Sequence, residues 1–583
     1  MIFISSSNRK IIFEHGKKNV NLSDIIFNNK HIGKRKKTTN NYHWNNNDKL
    51  KKDLNFIFKI YSKFLNILIK NLNKLHKVSY SKKYWETLLW RWLSRFVIYH
   101  FDRWEIIATI NKNYDNKNLY FNLIKFNEEK FIPNHTDDWS TRCVMSDDWN
   151  HWTYSRILNF KNFKNVKYVN QLNINPNPKF RFRKSKKNFS SKVKLFLRPF
   201  LNKNIVSQNL LFSKKMPLPF KLYFNNMHYF DQNFFLDLDI KLDLKRRDSL
   251  KKTDIKLKHE FEIFLVKQLK YNFPTIFLEN YKEAEKLLDE KNFPVNPKLI
   301  ICGGDQEANE PFKFFIAKNV IKGTKLYHLQ HGGSYGTSDD YPIEKIQIKL
   351  SDRFLSWGWK FNNKKILETY CQKTYGINIK QSKKSAGVII PIFEWNLHPG
   401  DIQGGRPRNL SDINLYVNNL MMFFSYLNPA IRKKSAFKYY KYKEHYPNYI
   451  LKRLMSKFER KNFFHSHKNT LNFLDKFKIN IETVNSTGYL ETLNLNLPTI
   501  LIFDKQYCRV RKTAKKYFLL LEKANILFEN PKNAAKFINK NYKSIDNWWN
   551  SKKVQNAIKI FTNKFAKKTN DPYTFLKKIK KYD

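Results

Sequence analysis

The second half of the chain alternates short apolar runs with helical patterns, and this alternation is the strongest constraint on its fold. "PKLIICGG" (297–304) predicts a short buried strand that ends in a glycine turn. A helical pattern, the strand "TKLYHLQ" and the strand-like run "DRFLSWGW" (352–359) follow it. Strand, helix and strand with short connections predict a parallel α/β layer, in which ligands bind at the carboxyl ends of the strands.

A second alternation begins after the polar stretch 376–384. "SAGVIIPIF" predicts a buried strand, "INIETVNSTGYLETLNLN" a strand, tight turn and helix, and "LPTILIFD" and "NILFEN" two more strands. The last helical segment, "IDNWWNSKKVQNAIKIFTNKFAKK", carries Trp548 and Trp549, which we expect to dock on the body. The predicted fold class is therefore α/β, with two Rossmann-like domains facing across a cleft and a C-terminal helix that packs back.

The N-terminal part has a different pattern. Residues 1–50 are polar and rich in Asn and Lys, whereas apolar residues recur at helical spacing from Leu54 onward. Tryptophan and tyrosine in 84–110 are more typical of a helical core than of a cofactor site. We predict a polar segment, a helical extension with the first Rossmann-like domain, a second Rossmann-like domain and a C-terminal helix: 1–50, 51–380, 381–540 and 541–583.

The charge balance favours acidic partners. The chain has 109 Lys and Arg against 49 Asp and Glu, a formal net charge of +60. An AT-rich coding sequence would also place many lysines on the surface without any function. The basic stretch 160–255 contains "FRFRK", a pattern that can bind nucleic acid, although we prefer a solvated strand edge or linker.

Several classes of protein are disfavoured by what the sequence lacks. The four cysteines are far apart and form no CxxC, which argues against a zinc site or disulfide framework and favours a reducing compartment. The first residues contain too short an apolar run for a signal peptide, and no window is long enough for a membrane span. No HExxH and no P-loop occurs, so we expect no metal and no cofactor. We predict a cytoplasmic protein and leave contact with the inner face of the membrane open.

Three of only 15 glycines lie together in "QHGGSYG", at Gly332, Gly333 and Gly336. Glycine permits positive φ or a close approach of the backbone to another group. The loop is therefore expected to pack on a ligand or on a neighbouring strand. His331 in this loop could act as a general base near neutral pH, and the alternative is a structural histidine that fixes the turn.

Other candidates for proton transfer lie near this loop. Asp305 and Glu307 follow the preceding predicted strand and could orient or replace the base. His398 follows the first strand of the second domain and could face the same cleft.

The segment "VNSTGYLE" is the candidate phosphate site. Ser486, Thr487 and Gly488 begin a predicted helix, whose unpaired amides and dipole attract a phosphate. Glu491 lies about one turn inside and could accept hydrogen bonds from sugar hydroxyls. Three downstream basic residues could neutralise a diphosphate without a metal: Lys505, Arg509 and Arg511. The alternative is an ordinary capped helix with surface basic residues.

Together these motifs resemble a little-characterised family of bacterial transferases found with surface-polysaccharide (O-antigen type) biosynthesis genes. The resemblance rests on "HLQHGGSYG", "SDRFLSWGW", "NSTGYLETLNLNLPTI" and "RKTAKKYFLLLEKANILF". It extends through "KKYWETLLWRWLSRFVIYHFDRW", "DDWNHWTYSRIL" and "NWWNSKKVQNAIKIF", and so spans about residues 80 to 565. The stretch "NPAIRKKSAFKYYKYKEHYP" departs from the family pattern, which leaves the contacts made there undefined.

That family is in turn similar to two-Rossmann-domain (GT-B) glycosyltransferases and to polyol-phosphate transferases. The resemblance implies an acceptor side lined by His331, Gly332, Gly333 and Tyr335. It implies a nucleotide side that contains Ser486, Thr487, Glu491 and Arg511. Glu344 and Asp352 also fall on family positions without an assigned role, and we group Glu344 and His398 with the acceptor-side loop.

The predicted function is a metal-independent GT-B-like transferase. It would move a sugar or related unit from a nucleotide-activated donor to a surface polysaccharide or lipid-linked acceptor. An epimerase-like enzyme acting on the nucleotide sugar itself is one alternative. A basic nucleic-acid-binding protein is the alternative from another class, and its binding would depend steeply on salt.

Overall fold

The computed structural model of this 583-residue chain describes sixteen segments. They are 2–5, 18–21, 42–113, 119–144, 146–174, 204–224, 238, 241–290, 293–304, 307, 309–382, 384–393, 402, 404–408, 410–440 and 449–581. Two candidate site residues, Asp305 and His398, lie outside the described residues.

Two long helices, α1 (Asn47–His76) and α2 (Lys82–Asn113), form the N-terminal body. The side chain of Asn46 caps α1, and Lys77 ends it in the left-handed conformation. The buried tryptophans of α2 include Trp85, Trp90 and Trp92, so its aromatic residues form a core as predicted. The described residues between α2 and residue 290 contain six further α-helices: α3 (Thr136–Asp138), α4 (Asp147–Phe160), α5 (Leu218–Tyr223), α6 (Leu244–Ser249), α7 (Glu260–Asn272) and α8 (Tyr281–Asp289).

A small four-stranded parallel sheet, which the sequence patterns did not predict, also belongs to this part. Its strands are β1 (Ile2–Ser5), β2 (Lys18–Asn21), β3 (Leu119–Phe126) and β4 (Val166–Ile174), in the order β2-β1-β3-β4. The segment of β2, "KNVN", has almost no apolar character. A strand that is held mainly by backbone pairing leaves little hydrophobic pattern in the sequence.

The first α/β unit is a five-stranded parallel sheet that contains the predicted strands of 297–359. In spatial order its strands are β5 (Ile205–Gln208), β6 (Leu299–Cys302), β7 (Lys325–Leu329), β8 (Arg353–Ser356) and β9 (Ile366–Glu368). All residues of β5 and β6 are buried, as expected of a parallel sheet that is covered on both faces. Two helices connect the central strands: α9 (Glu310–Val320), which packs on α2, and α10 (Pro342–Leu350).

The second α/β unit is a six-stranded parallel sheet with the order β12-β11-β10-β13-β14-β15. Its strands are β10 (Val388–Pro391), β11 (Ala436–Tyr439), β12 (Phe463–His465), β13 (Ile479–Glu482), β14 (Thr499–Ile502) and β15 (Leu527–Phe528). Its helices are α11 (Leu410–Tyr426), α12 (Pro429–Lys433), α13 (Tyr449–Met455), α14 (Thr487–Asn494), α15 (Lys515–Lys523) and α16 (Pro531–Asn541). The predicted α/β class with two Rossmann-like units is confirmed. The boundaries 50, 380 and 540 remain predictions.

The C-terminal region forms three helices in place of the one predicted: α17 (Ile545–Trp549), α18 (Lys552–Phe565) and α19 (Thr574–Lys580). The Trp549 indole is buried and donates to the Asn496 carbonyl, so this tryptophan docks on the body as expected. Helix α18 packs on α14 and α15 of the second unit. The chain then crosses back, and Phe575 of α19 is buried in the core under the first sheet. None of the described helices is both long and apolar enough to cross a membrane.

The crossing of the C terminus makes a testable contribution to stability. Phe575 is fully buried and shares a core with residues of β6 and β7. We expect Phe575→Ala to lower the free energy of unfolding by about 3–5 kcal/mol, because it leaves a cavity under the first sheet. The control is Tyr573→Ala on the same segment, where a 41% exposed side chain is removed at a cost of less than about 1 kcal/mol. Urea titrations of both variants measure the difference, and equal losses would contradict this packing.

Candidate active site

The carboxyl ends of the two large sheets meet at a single junction. The loop 330–341 follows β7 of the first sheet, and the turn 483–486 follows β13 of the second. The Gly333 amide donates a hydrogen bond to the Thr487 hydroxyl (3.0 Å), and the Ser334 hydroxyl donates to the Asn485 carbonyl (2.7 Å). The structure therefore brings the predicted histidine loop into direct contact with the predicted phosphate turn.

The glycines of the histidine loop allow its backbone to lie directly against the phosphate turn. A Cβ atom on Gly333 would lie 2.1 Å from the Ser486 carbonyl oxygen, and one on Gly332 would lie 2.8 Å from the Thr487 hydroxyl. Gly336 has a φ of +69° and packs against the indole of Trp359. The sequence predicted that this loop packs either on a ligand or on a neighbouring strand. In the structure it packs on the turn that begins α14.

Two predicted phosphate-binding arginines lie at the same junction and pair with carboxylates of the first unit. The Arg511 guanidinium is 2.6 Å from a Glu344 carboxylate oxygen, and its backbone amide donates to the Thr337 carbonyl (2.8 Å). The Arg509 guanidinium pairs with Asp340 and also donates to the side chain of Asn47 at the start of α1. Both arginines thus tie the two units together.

Glu344 is grouped with the acceptor-side loop in the sequence analysis, but it lies in the first turn of α10. Its side chain is 4% exposed, and its second carboxylate oxygen accepts a hydrogen bond from the Gly336 amide (2.7 Å). Burial raises the pKa of Glu344, and the charge of Arg511 opposes that effect. Because Arg511 compensates a buried carboxylate, its removal alone would leave that charge without its ion-pair partner.

His331 lies at the open side of the junction, with 26% of its side chain exposed. The Tyr335 hydroxyl donates to the side-chain oxygen of Gln347 (2.7 Å), so its own oxygen is available to the His331 Nδ1–H at 3.2 Å. This arrangement favours the tautomer in which Nε2 carries the lone pair. Burial lowers the pKa of His331, so the imidazole is neutral at neutral pH.

A carboxylate and an arginine complete the surroundings of His331. A Glu307 carboxylate oxygen lies 4.0 Å from Nε2, and it also accepts a hydrogen bond from Gln347 (3.2 Å). The other Glu307 oxygen pairs with the Arg91 guanidinium at 3.0 Å. Arg91 belongs to α2, so the N-terminal helical body reaches the candidate active site. Sequence reasoning missed both Arg91 and Gln347. Arg91 lies in a stretch that resembles the family but has no recognisable catalytic pattern, and Gln347 lies in none of the quoted motifs.

Glu491 lies on α14 but takes part in a separate buried charge cluster. Its carboxylate pairs with Lys373 of the first unit at 2.8 Å. Under the first turn of α14, Glu482 is 4% exposed, and a Cβ atom on Gly488 would lie 2.3 Å from its carboxylate. Burial raises the pKa of Glu482 to about 7 and lowers that of the neighbouring Lys438 to about 8. In the sequence, only the charged residues near the carboxyl ends of β11 and β13 could have indicated this cluster.

One group of side chains in the described chain has the composition of a metal site. His43, Asp53 and Glu105 offer ligand atoms that lie within 4.8 Å of one another. The Lys49 ammonium already lies between the two carboxylates, at 2.8 Å from Asp53 and 2.6 Å from Glu105. His43 Nε2 is 3.1 Å from Asp102. Because the Lys49 ammonium already neutralises both carboxylates, we assign no metal to this group.

Comparison with known proteins gives the family. Residues 13–579 match the family model described as "LIC12162 family transferase". The chain belongs to this family. It is therefore a transferase. No curated protein matches it.

Solved structures resemble this transferase only loosely. A UDP-N-acetylglucosamine 2-epimerase is 12% identical, with 47% of this chain and 70% of that one covered and a TM-score of 0.27. The spinosyn rhamnosyltransferase SpnG, complexed with spinosyn aglycone, is 11% identical, with 49% and 73% covered and a TM-score of 0.28. The calicheamicin glycosyltransferase CalG4 is 8% identical, with 52% and 80% covered and a TM-score of 0.26. At these scores the three structures carry no argument about the activity.

The contact of Gly333 with the phosphate turn predicts a large effect of a single methyl group. Gly333→Ala is expected to lower the free energy of unfolding by about 2 kcal/mol or more, because the new Cβ overlaps a backbone carbonyl. Gly323→Ala is the control, since that glycine has a φ of +98° but no atom within 4 Å of the added Cβ. This control tests the effect of backbone strain alone, and we expect it to lower the free energy of unfolding by about 1 kcal/mol. Urea titration measures both, and an equal or smaller loss for Gly333→Ala would contradict the contact.

The position of Arg91 predicts a shift in the titration of His331. The positive charge of Arg91 lowers the pKa of His331, both directly and by offsetting Glu307. Arg91→Met should therefore raise the pKa of His331, measured by NMR from the ring protons as the pH is changed. Arg95→Met, one turn along α2, is the matched control because its guanidinium donates to Ser140. An unchanged His331 pKa in Arg91→Met would show that this arginine does not act on the imidazole.

Proposed function

We propose that this transferase is a metal-independent, GT-B-like glycosyltransferase that uses a nucleotide-activated sugar. The observation that supports this most is the meeting of two parallel sheets, carboxyl end to carboxyl end, at His331 and the start of α14. Ligands of open parallel sheets bind at the carboxyl ends of the strands. A junction of two such edges can hold a donor on one side and an acceptor on the other.

In this proposal His331 is the base that activates the acceptor. The Nε2 lone pair takes the proton of the acceptor hydroxyl, and the oxygen forms a bond to the anomeric carbon of the donor sugar. The bond from that carbon to the diphosphate breaks, and the nucleoside diphosphate leaves with the electron pair. Glu307, 4.0 Å from Nε2, stabilises the imidazolium that forms. Tyr335 holds the ring by accepting from Nδ1.

The donor diphosphate is proposed to lie against the first turn of α14. Ser486 is the N-cap residue of this helix, yet its side chain makes no capping hydrogen bond. Its hydroxyl and the amides of Thr487 and Gly488 can therefore bind phosphate oxygens. The Thr487 hydroxyl is already engaged by Gly333, and Arg509 and Arg511 are engaged by carboxylates. We assign the two arginines the role of holding the units together beside the phosphates, and Glu491, which is buried against Lys373, the same structural role in place of the predicted contact with sugar hydroxyls.

The acceptor is proposed to be a surface saccharide or a lipid-linked precursor, handled in the cytoplasm at the inner face of the membrane. The family resemblance supports this assignment, and the net charge of +60 would favour an anionic membrane surface.

An enzyme that epimerises the nucleotide sugar is the second candidate, since it needs the same donor site but no acceptor. Incubation with nucleotide sugar alone separates the two, because only the epimerase would change the sugar without an acceptor.

Thermal unfolding with a panel of nucleoside diphosphates and nucleotide sugars tests the donor site. Ser486→Ala should leave the stability of the ligand-free protein almost unchanged, because no cap is lost, but abolish the stabilisation by nucleotide. Ser551→Ala is the matched control: it removes a cap that accepts from Val554 and costs about 1 kcal/mol, but it should keep the response to nucleotide. At 100 times Kd the stabilisation should reach about 2.7 kcal/mol. No stabilisation of the wild type by any member of the panel, with a clear response to short nucleic acid, would favour a nucleic-acid-binding protein.

A further inference from the structure

A cavity lies at the junction of the two units, and His331 is not among the residues that line it. Its volume is about 890 Å³, and it is lined by segments that are far apart in the chain. Lys360 and Lys364 follow β8, Lys512 and Lys516 lie before and within α15, and Lys564 lies on α18. We call it the lysine pocket. None of the candidate active-site residues lines it.

The charges of the lysine pocket are largely uncompensated. Five lysines line it and no carboxylate does. Lys564 pairs with Glu368 at 3.6 Å, whereas the other four make no ion pair with any described residue. Elsewhere lysines often have acidic partners, as Lys373 has Glu491 and Lys505 has Glu529. Like charges that converge without a partner repel each other, and a bound anion would relieve that repulsion.

A biased composition does not by itself explain this arrangement. Lysines placed only by coding bias would be scattered over the surface. Here they come from three separate segments and surround one concavity. Phe361, Asn362, Thr513 and Tyr517 form the rest of its wall. Phe361 stacks on Trp359 at 5.5 Å, and Tyr517 packs edge-on against Phe565 at 5.2 Å, so both rings are anchored to the core.

We propose that the lysine pocket is an anion-binding site for a small ligand that carries several negative charges, either phosphates or carboxylates. The volume is within the range of about 300–1,000 Å³ typical of ligand pockets, and it exceeds the needs of one phosphate. Four uncompensated ammonium groups around one cavity favour a ligand that carries more than one negative charge. Because the lysines belong to both units, such a ligand also draws the units together next to the Arg511–Glu344 pair.

The test compares two variants of the full-length protein with equal net charge. The pocket variant carries Lys360→Gln, Lys364→Gln, Lys512→Gln and Lys516→Gln. The control variant carries Lys→Gln at four other exposed lysines of the second unit: 523, 536, 540 and 543. All eight side chains are exposed, so both variants should fold. Calorimetric titration with tripolyphosphate and with tri-galacturonate, at several salt concentrations, measures the affinities.

We expect the wild type and the control variant to bind at least one probe with affinities within about twofold, and the pocket variant to bind it at least about tenfold more weakly. The salt dependence of the affinity should also be smaller in the pocket variant, because fewer charges contact the ligand. Preference for tripolyphosphate would identify a phosphate ligand, and preference for tri-galacturonate an acidic saccharide. Equal losses in the two variants would attribute binding to the overall field of the protein and overturn the proposal, as would the absence of binding by the wild type at low salt.

Discussion

The approach of Gly333 to the Ser486 carbonyl is the contact on which the architecture of the junction depends. Only a residue without a side chain permits it, because any Cβ would overlap the carbonyl oxygen. Through this contact the carboxyl ends of two separate parallel sheets share one surface. The hydrogen bonds from Ser334 to Asn485 and from Arg511 to Thr337 follow from the same approach. A chain with few glycines places two of them, Gly332 and Gly333, where the two units touch.

Acidic residues are scarce in this protein, and several of them lie where the units meet. Only 49 acids accompany 109 basic residues, yet Asp340 and Glu344 pair with the arginines of the second unit, and Glu491 pairs with Lys373 of the first. A buried carboxylate is costly without a partner, so each pair constrains the relative position of the units. Near His331, the carboxylate of Glu307 is likewise held in position by an ion pair with Arg91 and a hydrogen bond from Gln347.

Much of the fold could be predicted from the sequence, because buried parallel strands are short continuous apolar runs such as "LIIC" and "TILI". The four-stranded N-terminal sheet was not predicted: β2, "KNVN", carries no such signal, although β3, "LYFNLIKF", is largely apolar. At the site, the motifs located the histidine loop and the start of α14, but not that they contact each other. Arg91 and Lys373 lie far from their partners in the chain, and tertiary pairs of this kind leave no trace in a single sequence. The roles of the site residues remain predictions.

The return of α19 to the first sheet has a consequence for biosynthesis. Phe575 and Ile579 fill the core under β6 and β7, although the whole second unit is translated between them. The first unit therefore emerges from the ribosome with part of one apolar face uncovered, and that part stays uncovered until α19 leaves the exit tunnel. Domains usually fold in the order of their synthesis. Here the first α/β unit is synthesised before the second, but its core is completed only after the second has been made.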